Sequence, residues 1–377
     1  MFQQTFAILR NTFFESIRQP IMLVVLMIAT IAIVLANPLA AFTMENDQRM
    51  LIDMGLATVF ICGCLLAAFI ATNVLGREIE NRTALTVISK PVPRPLFVLG
   101  KFLGVAGAIT LGTIYMTFVF MLTELHTVLQ TVRSPLHGPV LVFSFLAFVI
   151  GVGTAVWCNY FYGRVFASTV LVVLTPLAGL AYFFSLMFTP MFELQPISAG
   201  FKPQLWLAVI TLWMAILILS ALALAVSTRL GQVMTLVITL GAFVLGMLSD
   251  WIFGRRMEML RNVWLDLARS EGLTQSVEKV QTVHMAGGEV QHITSTVEVA
   301  TQPLMSFATM PQKLEYALYK VCYTVLPNFQ VMFLSDALTQ DHLIPIGYIL
   351  RTLIYGALYI GAALALATFL FQTREVG

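Results

Sequence analysis

Two carboxylates, Glu78 and Glu80, stand among Arg77, Arg82, Lys90, Arg94 and Lys101 in a segment that joins two long apolar runs. Acidic and basic side chains interleaved on a short helix suit the docking of a partner protein, because complementary charge confers specificity more readily than affinity. Glu78 and Arg82 are four residues apart and can pair on one helical face, which leaves Glu80 projecting elsewhere. The sequence predicts this polar helix over 78–89. Pro91, Pro93 and Pro95 then make a stiff connector that ends where the next apolar run begins. A solvated basic loop would account for the Arg and Lys residues, but not for the interleaved carboxylates or the rigid connector.

Other reactive residue types are arranged for less. Cys62 and Cys64 point to different sides of a helix, which suits packing rather than a metal, and with Cys158 they lie in apolar segments, against a disulfide framework. The histidines (His126, His137, His284, His292 and His342) carry no repeated ligand spacing. His284 and His292 could face each other across a hairpin and hold a metal, although two exposed strand histidines is the expected state. Gly100-Lys101 has Pro95 where a phosphate-binding loop needs its first glycine and Phe102 where it needs Ser or Thr. Neither H-E-x-x-H nor Gly-x-Ser-x-Gly occurs. No catalytic residue, cofactor or metal is expected, and the chain is not expected to be an enzyme.

The elements that must position the charged segment are set by composition. Of 377 residues, 59% are hydrophobic and 11% charged, and mean hydropathy is +0.88; soluble domains carry about 25% charged residues. A water-soluble globule is excluded. The net charge of +2 is no nucleic-acid footprint, and charge confined to short clusters between apolar runs is the pattern of a polytopic membrane protein. A span takes about 20 apolar residues as helix. Eight candidates meet that length: 21–42, 51–76, 97–122, 140–158, 165–188, 205–227, 233–253 and 345–371. Internal hydrogen bonding of every backbone group makes them helices. Asn37-Pro38 is expected to end the first early, Pro176 to kink the fifth, and the fourth to be short. No cleavable signal peptide is read, since Arg10, Glu15 and Arg18 interrupt the first residues and no small-residue cleavage site follows.

Orientation follows from Lys and Arg. With the N-terminus inside, Arg10, Arg18, Arg77, Arg82, Lys90, Arg94, Lys101, Arg164, Arg229 and Arg374 lie on the inner side, against Arg49, Arg133 and Lys202 in short outer loops and Arg255, Arg256, Arg261 and Arg269 in the long outer segment, where charge weighs little. Both termini are therefore expected in the cytoplasm of a cell whose inner membrane holds the chain. The expected organisation is an interfacial helix over 1–20, seven spans over 21–253 with the charged loop 77–101, an outer insertion over 254–344, and the last span with its tail over 345–377. In the first piece Phe2, Phe6, Leu9, Phe13 and Ile17 form an apolar stripe suited to the inner membrane interface. Within the insertion, Met257, Leu260, Trp264 and Leu267 predict a helix resting on the membrane surface. Gly287-Gly288 between two β-rich runs predicts a hairpin. A second amphipathic helix opens at Pro311 and ends at Pro327, with Leu314, Leu318, Val321 and Val325 on one face. The fold class expected is an all-α polytopic membrane protein of about eight transmembrane helices, with this small α+β insertion before the last.

Glu78-x-Glu80-x4-Leu85, Lys90-Pro91-Val92-Pro93-Arg94 and Leu99-Gly100-Lys101 together resemble the loop before the third span in permease subunits of ABC-2 type ABC transporters. Val226-Ser227-Thr228-Arg229 resembles the connection between later spans. Leu326-Pro327-Asn328-Phe329, Ile344-Pro345, Tyr348, Tyr355 and Phe369-Leu370-Phe371-Gln372-x2-Glu375 resemble the last outer loop and span. Eight spans rather than six, the pair over 140–188 being the extra one, and a long outer segment depart from the pattern. The resemblance implies a permease that pairs with a second copy or a similar subunit and is driven by a separate cytoplasmic ATPase subunit. It further implies that the first helix is an elbow and that Glu78, Glu80, Arg82, Lys90 and Arg94 form the coupling element. A secondary transporter is disfavoured because Asp53, Asp250 and Arg351 all lie near span ends. A scaffold or membrane-integral enzyme lacks a catalytic constellation.

Overall fold

The computed structural model describes residues 2–43, 46–80, 93–128, 136–284, 290–340 and 342–372, with the side chains of 2, 75–80, 279–284, 290–293 and 295–296 set aside. Among the described residues, eight helices are long and apolar enough to cross a membrane. The chain is a multi-pass, almost wholly helical protein, and two strands are its only sheet among those residues. The order is α1 (Phe2–Ile17), α2 (Pro20–Ala40), α3 (Asp47–Glu80), α4 (Arg94–His126), α5 (Gly138–Tyr162), α6 (Phe166–Leu186), α7 (Pro203–Ser227) and α8 (Gln232–Ser249). After a π-helical turn, Asp250–Gly254, come α9 (Arg255–Ser270), β1 (Thr274–His284), β2 (Val290–Ala300), α10 (Met310–Val325), α11 (Ser335–Thr339) and α12 (Ile346–Gln372).

Helices α3, α4 and α7 form the centre, and α2, α5, α6, α8 and α12 surround them with much of their apolar surface facing outward. Four hydroxyls of α4 are satisfied inside their own helix: Thr110, Thr113, Thr117 and Thr123 each donate to the carbonyl one turn earlier, at 2.7 to 3.0 Å. An apolar surround leaves a hydroxyl few other partners. Helix α1, the Asn73 end of α3, the starts of α4 and α8 and the last turn of α12 gather at one end of the bundle, called here the α1 end. The β-hairpin lies at the other.

Several boundaries differ from expectation. Pro38 does not end the first span: α2 runs through it to Ala40, its neighbours holding the helix across the lost hydrogen bond. The second span passes Gly76 and reaches Glu80 as one helix, so residues 78–80 continue α3 rather than opening a separate polar helix; 81–92 lie outside the described residues. The fourth span is not short. Helix α5 continues to Tyr162, where Gly163 at φ 60° supplies the left-handed cap. Its last turns expose Trp157, Tyr160, Phe161 and Tyr162, an aromatic belt of the kind found at a membrane–water boundary.

Helix α1 does more than lie on an interface. It is packed along α4, burying Thr12, Ser16 and Ile17 while Phe6 stays 64% exposed. Close approach is possible because Gly104 has no side chain: a Cβ there would meet the Leu9 carbonyl oxygen at 2.7 Å and the Thr12 Cβ at 2.6 Å.

The insertion contains the expected hairpin, antiparallel from Thr274↔Ala300 to His284↔Val290. His292 pairs with Thr282, so the two histidines do not oppose each other. Arg269 of α9 donates through Nε to Glu298 at 2.8 Å and fastens β2 to α9. Trp264 is buried rather than turned to a membrane surface: its ring centroid lies 5.3 Å from that of Tyr316, and its Nε1 donates to Gln312 at 3.2 Å. Helix α10 begins with a capping box between Thr309 and Gln312. Its predicted apolar face, Leu314, Leu318, Val321 and Val325, is exposed along its whole length.

Candidate functional site

Of the expected coupling residues, Glu78, Glu80 and Arg94 fall at the α1 end. Helix α3 leaves the packed core near Asn73 and carries Glu78 and Glu80 on its last turns, with seven residues of helix, about 10 Å, from Asn73 to Glu80. Arg82 and Lys90 lie outside the described residues, as do the side chains of Glu78 and Glu80. Asn73 is nearly buried and bonded on both sides of its amide: its Nδ2 donates to Gln19 Oε1 at 3.3 Å, and its Oδ1 accepts from Gln232 Nε2. Gln19 sits in the turn between α1 and α2, and Gln232 opens α8. One amide therefore joins the base of α3 to two other elements. A buried amide without partners would cost several kcal/mol in an apolar medium, which keeps this joint closed.

Arg94 has a different setting from Glu78 and Glu80. Its Nη1 donates to the Gln372 carbonyl at 2.7 Å and to that of Phe371 at 3.4 Å, capping the last turn of α12. Phe97 and Phe371 stack beside it with ring centroids 5.8 Å apart. Arg94 thus holds the start of α4 to the end of α12. Lys101 lies almost two turns into α4, is 2% exposed, and has its ammonium 5.8 Å from the Phe97 ring centroid.

At the opposite end, the Leu326-Pro327-Asn328-Phe329 segment folds back into the bundle. Asn328 Oδ1 accepts from the backbone N–H groups of Gln330 and Val331, and its Nδ2 donates to Tyr323 Oη at 2.9 Å. Tyr323 Oη in turn donates to Asp250 in the π-helical turn at 3.3 Å. Burial pushes the Tyr323 phenol above its usual pKa, with the Asn328 bond opposing and the Asp250 charge adding to the shift. Phe329, wholly buried, packs among Phe60 and Phe243 with centroids 6.3 and 6.2 Å away, while Phe333 stacks on Phe60 at 5.9 Å. Gly246 makes room for it, since a Cβ there would meet the Phe329 ring and the Pro327 oxygen at 2.6 Å. Thr211 donates to the Met332 carbonyl at 2.8 Å and ties the segment to α7. The arrangement closes that end of the three-helix centre.

Sequence reasoning did not single out Glu124, Asn73, Gln19 or Gln232. Glu124 is buried near the end of α4 in an ion pair with Lys202, and accepts from Gln48 Nε2 at 2.8 Å. The available signal was a lone amide or carboxylate inside an apolar run, which must find partners. Among the described residues, no cluster of three or more His, Cys, Asp or Glu is placed to hold a metal.

No family model matches this chain, and neither a curated protein nor a solved structure matches it.

Proposed function

We propose that this chain is the membrane-spanning permease subunit of an ABC-2 type transporter, exporting its substrate with energy from ATP hydrolysed by a separate cytoplasmic ATPase. The observation that carries the reading is the unbroken course of α3 from the core to Glu80, with its base tied through Asn73 to the α1–α2 turn and to the start of α8. A force applied at Glu78 or Glu80 is delivered through a rigid helix to the α1–α2 turn and to the start of α8 at once, which is what a coupling element needs. The buried Lys101 and Glu124 lie toward opposite ends of α4, leaving its middle turns uncharged; an ion-coupled carrier needs ionisable groups near midplane. In this reading the α1 end faces the cytoplasm, the hairpin lies outside, and the complex holds two permease subunits.

Reversing both carboxylates, Glu78→Lys with Glu80→Lys, tests the coupling role. Pairs at such a rim are worth about 0.2–1 kcal/mol each, so one reversal weakens docking modestly, whereas two add repulsion to lost attraction. The expected result is normal expression with loss of transport-stimulated ATPase activity in the reconstituted complex. Full stimulation and association in the double variant would reduce this segment to a solvated connector. Orientation is tested separately by thiol labelling of Ser276→Cys at an exposed hairpin position, which should react only from outside.

A further inference from the structure

A cavity of about 600 Å³ opens on the side of the bundle between α2, α4, α5 and α6. Its volume falls in the range of small-molecule sites, and its lining is mostly apolar with a few polar groups, as such sites are. Apart from Ser144 of α5, which lies between them, those polar groups are at its two ends. At mid-bundle the Tyr115 hydroxyl donates to Thr30 Oγ1 at 3.0 Å, and Thr30 donates onward to the Leu26 carbonyl at 2.8 Å, so this polar end is satisfied within the protein. At the hairpin side stand Asn37, Thr123 and His126. From Tyr115 to His126 is eleven residues of helix, about 16 Å, and one leaflet of hydrocarbon is about 15 Å thick. The mouth is flanked by Val34, Leu141, Phe145 and Phe148, all about half exposed or more on the lateral surface, so the medium that reaches it is hydrocarbon rather than water.

We infer that this cavity is a binding site for one acyl chain of a phospholipid from the leaflet on the hairpin side, with the chain end at the Tyr115–Thr30 pair and the polar head level with Asn37 and His126. Three features select that ligand: the depth matches one leaflet, the walls are apolar over most of that depth with Ser144 the one hydroxyl between the ends, and the polar residues at the rim lie where a headgroup begins. Alanine at positions 147 and 178 keeps the walls of α5 and α6 thin; both are nearly buried. The inference stands apart from the transport reading, since it requires no ATPase.

The test uses the full chain alone in phosphatidylcholine nanodiscs doped with a phosphatidylcholine carrying a diazirine at the middle of one acyl chain. After illumination, labelled peptides are mapped by mass spectrometry. The expected result is at least fivefold more label on the α4 and α5 peptides that line the cavity than on the exposed face of α8 around Val237. Ala178→Phe and Ala147→Phe, which fill the cavity from different helices, should each remove that excess and leave the α8 label unchanged. Equal labelling of cavity and α8 peptides in the wild-type chain would overturn the inference, whatever the variants do. So would an excess that survives both fillings, or cross-links showing that a second copy of the chain occupies the cavity.

Discussion

At the scale of single residues, the structure is governed by polar groups that an apolar surround forces into partnership. Glu124 and Lys202 illustrate an asymmetry. Glu124 is buried, whereas the Lys202 side chain is about half exposed. Removing the lysine leaves a buried carboxylate with only Gln48 to meet it among the described residues; removing the carboxylate charge leaves an ammonium that water can solvate. Breaking one side of a buried pair costs about 3–5 kcal/mol when the charge left behind stays buried. Lys202→Ala should therefore lower the melting temperature in detergent more than Glu124→Gln. The reverse order would show that the pair is not held by burial of the carboxylate.

At the scale of elements, the glycines of α4 and α5 give a paired expectation. Gly104→Val must push into the Leu9 carbonyl and Thr12 of α1, and overpacking of this kind costs about 1–3 kcal/mol. Gly153 meets nothing within 4 Å on α5, so Gly153→Ala should be neutral or stabilising through helix propensity. Melting curves of the two variants in one detergent check both. A pH effect belongs to the start of α5, where the Val140 N–H donates to His137 Nδ1 at 3.4 Å. Burial, reinforced by His126, lowers the His137 pKa from 6.5. The folded state then binds fewer protons than the unfolded one. This contribution to stability is complete above pH 6.5 and is lost as pH falls through the lowered pKa. Melting temperature measured from pH 8 to pH 5 should drop, and His137→Asn, which caps without titrating, should flatten that dependence.

The elements also show what was legible in the chain. The eight apolar runs, the antiparallel pairing of β1 with β2 and the helix opening near Pro311 follow from length, turn residues and period, which are local signals. The run of α3 beyond Gly76, the passage of α2 through Pro38 and the belt from Trp157 to Tyr162 do not, because packing and the membrane boundary override the local cue. At the candidate site, Glu78 and Glu80 were readable as an unusual charge pattern. Asn73 was not, since its meaning depends on Gln19 and Gln232, which are 54 and 159 residues away in the chain. Arg94 read as a member of the coupling element, yet its place against the Gln372 carbonyl is a contact 278 residues distant.

At the scale of the whole molecule, the chain has one end tied by amides and a helix cap and another end closed by the Phe329 segment. In the proposed reading, continuous helices joining two constrained ends carry the motion from the α1 end to the hairpin end. The chain lacks a phosphate-binding loop, so purified free of other polypeptides it should hydrolyse no ATP; activity that survives that purification would contradict the account. In the proposed reading a separate ATPase drives the chain. The most direct measurement is affinity purification of the tagged chain from its own membranes in mild detergent, with the associated polypeptides identified by mass spectrometry. A cytoplasmic subunit with a phosphate-binding loop should appear in stoichiometric amount and be lost with Glu78→Lys/Glu80→Lys. Recovery of the intact, folded chain with no such subunit would contradict the account.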